Sequence, residues 1–155
     1  MLAAGCQRGV IAELGTGAGI GAAWMTGAMP SDCMLVTAEV DACLAGAAAR
    51  LLAADPRVQV LTGDARLVLG PHAPFDLIFA DCGVRDSADF ANLTGMLKPG
   101  GRIVMDDLTP AAARPQAGAA DVKRALFAAE DRLVWTEVVL PDLENSLLFG
   151  TRRAA

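Results

Sequence analysis

Short apolar runs alternate with segments of helical spacing along almost the whole chain, and turn-forming residues separate them. Apolar runs with little polar alternation are typical of strands that are buried on both faces of a sheet. The predicted strands are Val10–Leu14, Met34–Ala38, Val58–Leu61, Phe75–Ala80, Arg102–Met105, Leu133–Val139 and Ser146–Thr151. The predicted helices are Ile20–Ala28, Asp41–Ala54, Ala65–Leu69, Asp86–Leu97 and Gln116–Ala129.

This order of elements predicts an α/β fold of the Rossmann-like, doubly wound kind, with a mostly parallel sheet. The last two strands have no helix between them and are joined by the turn 141–145, so they are expected to pair as an antiparallel hairpin. In the first helix, Trp24 and Met25 are expected to pack against the sheet. The length of 155 residues suits a single domain spanning 1–155.

Composition narrows the class of protein. With 54% hydrophobic and 20% charged residues the chain is expected to be globular, and its net charge of −5 argues against a duplex nucleic-acid partner. No apolar run reaches the length of a membrane span, and no signal-peptide pattern opens the chain. The four cysteines, which show no metal-binding spacing, are expected to be reduced thiols in a cytoplasmic protein.

The most informative segment follows the first predicted strand. That strand ends at Glu13 and Leu14, and glycines then occur at alternate positions, 15, 17, 19 and 21, with Thr16 between the first two. Glycine suits a turn that needs positive φ or a ligand lying against the main chain, and such a turn points backbone N–H groups at the ligand. The segment therefore predicts a strand, a tight turn and a helix start that together bind a nucleotide-type cofactor.

The glycines alone also fit a dinucleotide site, and other residues bear on the choice of cofactor. Glu13 would repel a pyrophosphate but not a cation. Glu39, at the end of the second strand, is suited to accept hydrogen bonds from ribose hydroxyls in either class. Gly63-Asp64-Ala65 offers a carboxylate and a backbone amide that suit an adenine ring.

The pattern E-x-G-x-G-x-G, the acid after strand two, the GDA segment and the K-P-G-G before strand five resemble class I S-adenosylmethionine-dependent methyltransferases. The resemblance covers Val10 to Arg152. It implies a seven-stranded sheet of order 3-2-1-4-5-7-6 with strand seven antiparallel. It implies that S-adenosyl-L-methionine is held by Glu13, Gly15, Thr16, Gly17, Gly19, Glu39, Val40, Gly63, Asp64, Ala65 and Asp81.

Acidic residues end strands four and five. Asp81 follows the fourth strand, and Asp106 and Asp107 end the fifth, so the three carboxylates should meet at one rim and attract Mg²⁺ or another divalent cation. Here the chain resembles the catechol and caffeoyl-CoA O-methyltransferase group, which implies a metal on Asp81, Asp106 and Asp107 and a catalytic role for Asp81. Two positions depart from that group: Asp107 replaces an asparagine, and Val84 replaces the catalytic lysine.

The resemblance implies O-methylation of a small phenolic or catechol-like acceptor, with metal assistance. Only nine residues precede the first predicted strand, so the acceptor site is expected to be open, completed by a second copy in a homodimer, or non-functional. Two alternatives stay open. One is an NAD-binding oxidoreductase, against which the absence of tyrosine and the GDA and KPGG segments speak. The other is a degenerate S-adenosylmethionine-binding module without turnover.

Overall fold

The computed structural model describes residues 1–81, 84–108, 121–140 and 145–154, without the side chain of Asp107. The strands are β1 (Val10–Leu14), β2 (Met34–Glu39), β3 (Val58–Thr62), β4 (Phe75–Ala80), β5 (Leu97–Leu108), β6 (Leu133–Leu140) and β7 (Asn145–Arg152). The helices are α1 (Ile20–Ala28), α2 (Ala42–Leu52), α3 (Ala65–Val68), α4 (Ser87–Gly95) and α5 (Val122–Ala129), with short 3₁₀ helices at Ala3–Gly5 and Gly70–His72.

The strands form one sheet in the order β3-β2-β1-β4-β5-β7-β6. All neighbouring pairs from β3 to β5 are parallel, whereas β7 runs antiparallel to both β5 and β6. The predicted fold, including the terminal hairpin, is confirmed. Because β1 lies between β2 and β4, the chain reverses its direction of winding at β1, and ligands bind at such points in open α/β sheets.

The core lies in two layers, one on each face of the sheet. On one face, Ile11 and Leu35 pack with Ala22 of α1 and Leu52 of α2. On the other face, side chains from α3, α4 and α5 cover the sheet, and the rings of Phe90 and Phe127 lie 4.9 Å apart. Both faces of the central strands are therefore removed from water, as their continuous apolar runs predicted.

Helix α1 corrects the expectation that Trp24 packs against the sheet. Trp24 is 79% exposed, whereas Ala22 and Thr26 are buried. Residues four apart lie on one face of a helix, and a residue midway between them lies on nearly the opposite face. The small residues Ala22 and Thr26 thus face the sheet, and Trp24 faces outward.

The largest difference in element boundaries concerns β5. The segment Lys98-Pro99-Gly100-Gly101, which was expected to precede the fifth strand, lies within it. Phe75 pairs with Leu97, but Leu77 pairs with Arg102, so the extra residues form an irregularity between two stretches of regular pairing. The predicted helical residues 116–120 lie outside the described residues. So does the predicted turn 141–145, except for its last residue.

Acidic residues fix the starts of four helices. The Asp41 side chain accepts hydrogen bonds from two amides of α2, and Asp64, Asp86 and Asp121 each accept one from an amide of α3, α4 and α5, respectively. Helices α2 and α4 therefore begin one residue later than the sequence predicted, because the acid is the cap and not the first helical residue.

The described cysteines carry free thiols: Cys6 and Cys33 are buried and Cys43 is exposed. Cys82 lies outside the described residues. Among the helices that the structure describes, none is long and apolar enough to cross a membrane.

Candidate active site

A cleft of about 390 Å³ opens at the carboxyl ends of the central strands. The loops after β1, β2, β3 and β4 all contribute to it. Its lining consists of Leu14, Gly15, Gly17, Ala38, Glu39, Val40, Gly63, Asp64, Ala65, Arg66, Asp81, Val84 and Leu93. Eight of the residues that were predicted to bind the cofactor thus line one cleft, namely Gly15, Gly17, Glu39, Val40, Gly63, Asp64, Ala65 and Asp81.

Two glycines of the loop after β1 serve different purposes. Gly17 has a φ of +53°, and a Cβ built on it would meet no atom within 4 Å, so its backbone faces open space. Gly19 also has positive φ, but a Cβ there would lie 3.2 Å from the Cβ of Ala48 in α2. Gly17 therefore leaves room for a ligand, whereas Gly19 permits close packing between the loop and a helix.

Glu39 joins the end of β2 to the glycine loop. Its Oε2 accepts a hydrogen bond from the N–H of Gly17 at 2.8 Å, and its Oε1 accepts one from the N–H of Asp41 at 3.0 Å. Each carboxylate oxygen has a second lone pair, so Glu39 can hold the loop and still accept hydrogen bonds from a ligand hydroxyl.

Glu13 is buried and forms no part of the cleft lining described above. Its carboxyl accepts a hydrogen bond from the hydroxyl of Thr37 at 2.5 Å, and the hydroxyls of Thr37 and Thr16 also lie 2.5 Å apart. Burial raises the pKa of Glu13 to about 7, the hydrogen bond from Thr37 opposes this, and the charge of Asp81 adds to it. Glu13 and Thr37 thus support the loop from beneath, through the hydroxyl of Thr16.

Asp64 caps α3 and is held by the arginine that follows it. The guanidinium of Arg66 contacts both oxygens of the Asp64 carboxylate, and it also binds Asp89 of α4 at 2.9 Å. The side-chain hydrogen bonds from Arg66 hold the pKa of Asp64 at about 2. Asp64 is therefore ionised near neutral pH, and its orientation at the cleft is fixed by Arg66.

A lysine side chain reaches the rim at which Asp81, Asp106 and Asp107 were expected to meet. The ammonium of Lys123, in α5, donates a hydrogen bond to the backbone carbonyl oxygen of Asp106 at 2.6 Å. Asp81 lies at the cleft, and the side chain of Asp107 lies outside the described residues. Within the part of the chain that is described, no three His, Cys, Asp or Glu side chains form a metal-binding group. The described donors alone do not fit a divalent metal centre, and the predicted metal site stays a prediction.

Comparison with known proteins assigns this chain to a family. Residues 6–114 match the family model described as protein-L-isoaspartate(D-aspartate) O-methyltransferase. The chain is 31% identical over 155 residues to a provisionally named O-methyltransferase of Mycobacteroides abscessus, covering 92% of this chain and 71% of that protein. The chain belongs to the S-adenosylmethionine-dependent O-methyltransferases.

Other members extend the comparison. The catechol O-methyltransferase of Niastella koreensis is 34% identical over 117 residues, which cover 70% of this chain and 53% of that protein. The chain thus spans about half the length of that relative. The O-methyltransferase TomG from Streptomyces achromogenes, crystallised with S-adenosylmethionine, has a TM-score of 0.75 and 25% identity over 95% of this chain and 74% of its own.

Several residues around the O-methyltransferase cleft were not identified from the sequence. Arg66 and Leu93 line the cleft, Thr37 lies beneath it, and Lys123 reaches the adjoining rim. Arg66 had one local signal, since it follows Asp64 at the spacing at which Arg57 follows Asp55, and that pair forms the same contact. Thr37 and Lys123 had none, because their contacts depend on strand register and on the position of α5.

Proposed function

We propose that this chain binds S-adenosylmethionine in the cleft and transfers its methyl group to an oxygen atom of a small phenolic acceptor. The observation that carries the proposal is Gly17, which has positive φ, faces open space and has its N–H bound to Glu39. A side chain at this position would fill the space that a ligand needs, so the loop fits a cofactor lying against the backbone.

The residues of the cleft suit the parts of this cofactor. Glu39 would accept the ribose hydroxyls, and Asp64 with the neighbouring amides would bind the adenine ring. When bound, S-adenosylmethionine supplies an electrophilic methyl group on a positively charged sulfur. The carboxylate of Asp81, which lines the cleft, favours a cation over a pyrophosphate there, and this supports S-adenosylmethionine over NAD.

Asp81 is the residue that we assign to the acceptor. It follows β4, lines the cleft, and its backbone N–H is fixed by a hydrogen bond to Leu14 O at 2.9 Å. Its carboxylate would accept a hydrogen bond from the acceptor hydroxyl and orient the oxygen toward the methyl group. Asp81 would then take the proton that the hydroxyl loses when its oxygen gains the methyl group and the methyl–sulfur bond breaks. Methyl transfer to a well-oriented oxygen gains most of its rate from positioning, so few catalytic groups are needed.

A second candidate acceptor is the carboxylate of an isoaspartyl residue, which the matching family model favours. The charge of the cleft favours the phenol, because Asp81 would repel an anionic acceptor but not a neutral hydroxyl. No step of the proposed reaction uses a divalent cation. A homodimer that completes the acceptor side and a cytoplasmic location stay predictions, and so does the metal assistance that the sequence suggested, which this reaction does not require.

The test combines binding with turnover. Calorimetric titration should show binding of S-adenosylhomocysteine and no binding of NAD, and transfer of a labelled methyl group should occur to catechol and not to an isoaspartyl peptide. Binding of NAD alone would establish the oxidoreductase alternative. Binding of S-adenosylhomocysteine with no transfer to either acceptor class would indicate a binding module, and sedimentation of the same sample would show whether it is a dimer.

A further inference from the structure

Three side chains from three separate segments form a buried chain of hydrogen bonds beneath the glycine loop. Glu13 comes from β1, Thr37 from β2 and Thr16 from the loop itself, and both links measure 2.5 Å. The exposed fractions of these residues are 1%, 0% and 4%, respectively. Such a chain, shielded from water, is electrostatically stronger than an exposed one.

The number of protons fixes the direction of this chain. A hydroxyl has one proton to donate, and an ionised carboxylate can only accept. When Glu13 is ionised, Thr37 must donate to Glu13, so Thr16 must donate to Thr37. When Glu13 is protonated, it can donate to Thr37, and Thr16 then becomes the acceptor. Ionised Glu13 therefore fixes which way the hydroxyl of Thr16 points, and protonated Glu13 removes that restriction.

The surroundings of Glu13 allow it to change state near neutral pH. Burial raises its pKa to about 7, and the charge of Asp81, directly after the neighbouring β4, acts in the same direction. Helix α1 carries no ionisable side chain, and β2 presents the hydroxyl of Thr37. A Cβ at Gly21 would lie 2.4 Å from Glu13 Oε1, so the carboxyl fits against the first turn of α1 only because residue 21 is glycine.

Thr16 is tied to the residues that line the cleft. Its N–H donates to Ala38 O at 3.2 Å and its carbonyl accepts from the N–H of Gly19 at 2.9 Å. Gly15 and Gly17, on either side of Thr16, line the cleft. A change in the hydrogen bonding of Thr16 is therefore passed to the backbone on which the cofactor would lie.

We propose that Thr37 is a positioning residue, whose hydroxyl keeps Glu13 ionised and sets the hydrogen-bond direction of Thr16, so that the loop binds a cationic cofactor more tightly when Glu13 has lost its proton. This inference rests on the proposed function for its ligand. Binding of a cation favours ionised Glu13, so affinity rises with pH across the range in which Glu13 titrates. Thr37 does not touch the cofactor; it acts through Glu13 and Thr16.

The first test is calorimetric titration with S-adenosylmethionine and S-adenosylhomocysteine between pH 6 and pH 8. The wild type should bind S-adenosylmethionine about fivefold to tenfold more tightly at pH 8 than at pH 6. The affinity for S-adenosylhomocysteine, whose sulfur carries no charge, should change less. Thr37→Val should weaken binding about tenfold and move the midpoint to higher pH. Thr37→Ser, which keeps the hydroxyl, should keep the wild-type affinity and the wild-type midpoint. The control is Thr26→Val, because the hydroxyl of Thr26 donates to Ala22 O at 2.7 Å within α1 and not to the buried chain beneath the loop.

A second test needs no ligand. The pKa of Glu13 rises from 4.5 to about 7 on folding, so the melting temperature should fall as pH increases through this range. Glu13→Gln should remove this fall, and Thr37→Val should extend it to higher pH because a bond that lowers the pKa is lost. A wild type that binds neither compound would overturn the proposed function. A Thr37→Val protein with the wild-type pH profile of melting would overturn the role of Thr37, whatever the ligand.

Discussion

The carboxylate of Glu39 accepts a hydrogen bond from the N–H of Gly17 at 2.8 Å, so the acid that ends β2 also holds the loop that follows β1. A glycine with positive φ has few restraints of its own, and this hydrogen bond limits its freedom before a ligand arrives. The same residue is thus placed to organise the loop and to bind the ribose.

The first prediction concerns Glu39→Ala. We expect the affinity for S-adenosylhomocysteine to fall roughly tenfold to a hundredfold, because charge-assisted hydrogen bonds contribute about 1.5–3 kcal/mol each. The melting temperature should change little, since Glu39 lies at the edge of the cleft and not in the core. Calorimetry and thermal melting measure the two effects. Asp32→Ala, which removes a partly exposed acid paired with Arg8, is the control; equal affinity in both variants would contradict the role of Glu39.

The second prediction compares two glycines that both have open space around a built Cβ. Gly17→Ala should weaken cofactor binding roughly tenfold or more and lower stability by about 1 kcal/mol, because an L-residue with positive φ is strained and its methyl group enters the cleft. Gly27→Ala, within α1, should leave binding unchanged and stabilise the protein by about 0.4–1 kcal/mol. Titration and melting of the pair decide the point. Wild-type binding by Gly17→Ala would show that the loop is not the cofactor cradle.

The sequence was sufficient for the parts of the site that depend on chain order. A residue that ends or follows a parallel strand lies at the carboxyl edge of the sheet, so Glu39, Asp64 and Asp81 were expected at one edge, and all three line the cleft. The sheet order came from the family resemblance, and the pairing agrees with it.

Other features depend on register and on which face a helix presents, which local patterns do not specify. Thr37 meets Glu13 because the two residues are partners in the pairing of β1 with β2. The outward position of Trp24 could not be predicted, because α1 is apolar all round and its periodicity does not identify the buried side. The KPGG segment lies within β5 because Leu97, which directly precedes it, already pairs with Phe75 of β4.

The third prediction concerns Arg66, which fixes the carboxylate of Asp64. If Asp64 accepts a hydrogen bond from the adenine amino group, S-inosylhomocysteine should bind about tenfold more weakly than S-adenosylhomocysteine, because the amino group is replaced by a carbonyl that also accepts. Arg66→Ala should reduce this discrimination, since Asp64 loses the contacts that orient it. Arg57→Ala is a matched control, because Arg57 forms the same kind of contact with Asp55 away from the cleft. Undiminished discrimination in Arg66→Ala would contradict the role of Arg66.

The last prediction sets Lys123 against a divalent cation. The ammonium of Lys123 lies 2.6 Å from Asp106 O, at the rim where the sequence predicted Mg²⁺. One positive charge there lowers the attraction for a second, so we expect millimolar Mg²⁺ to raise the wild-type melting temperature no more than NaCl of equal ionic strength does. Lys123→Met should enlarge the response to Mg²⁺, because a ligand that binds only the folded state stabilises it.

Lys98→Met is the control for that experiment, because Lys98 pairs with Asp76 at the opposite end of β4 from Asp81. It should lose some stability but gain no response to Mg²⁺. A wild-type melting temperature that rises with Mg²⁺, returns with chelator and loses its response in Asp106→Asn would instead establish the metal site predicted from the sequence. In that case Lys123 must move when the ion binds, since an ammonium and a divalent cation repel each other at so short a distance.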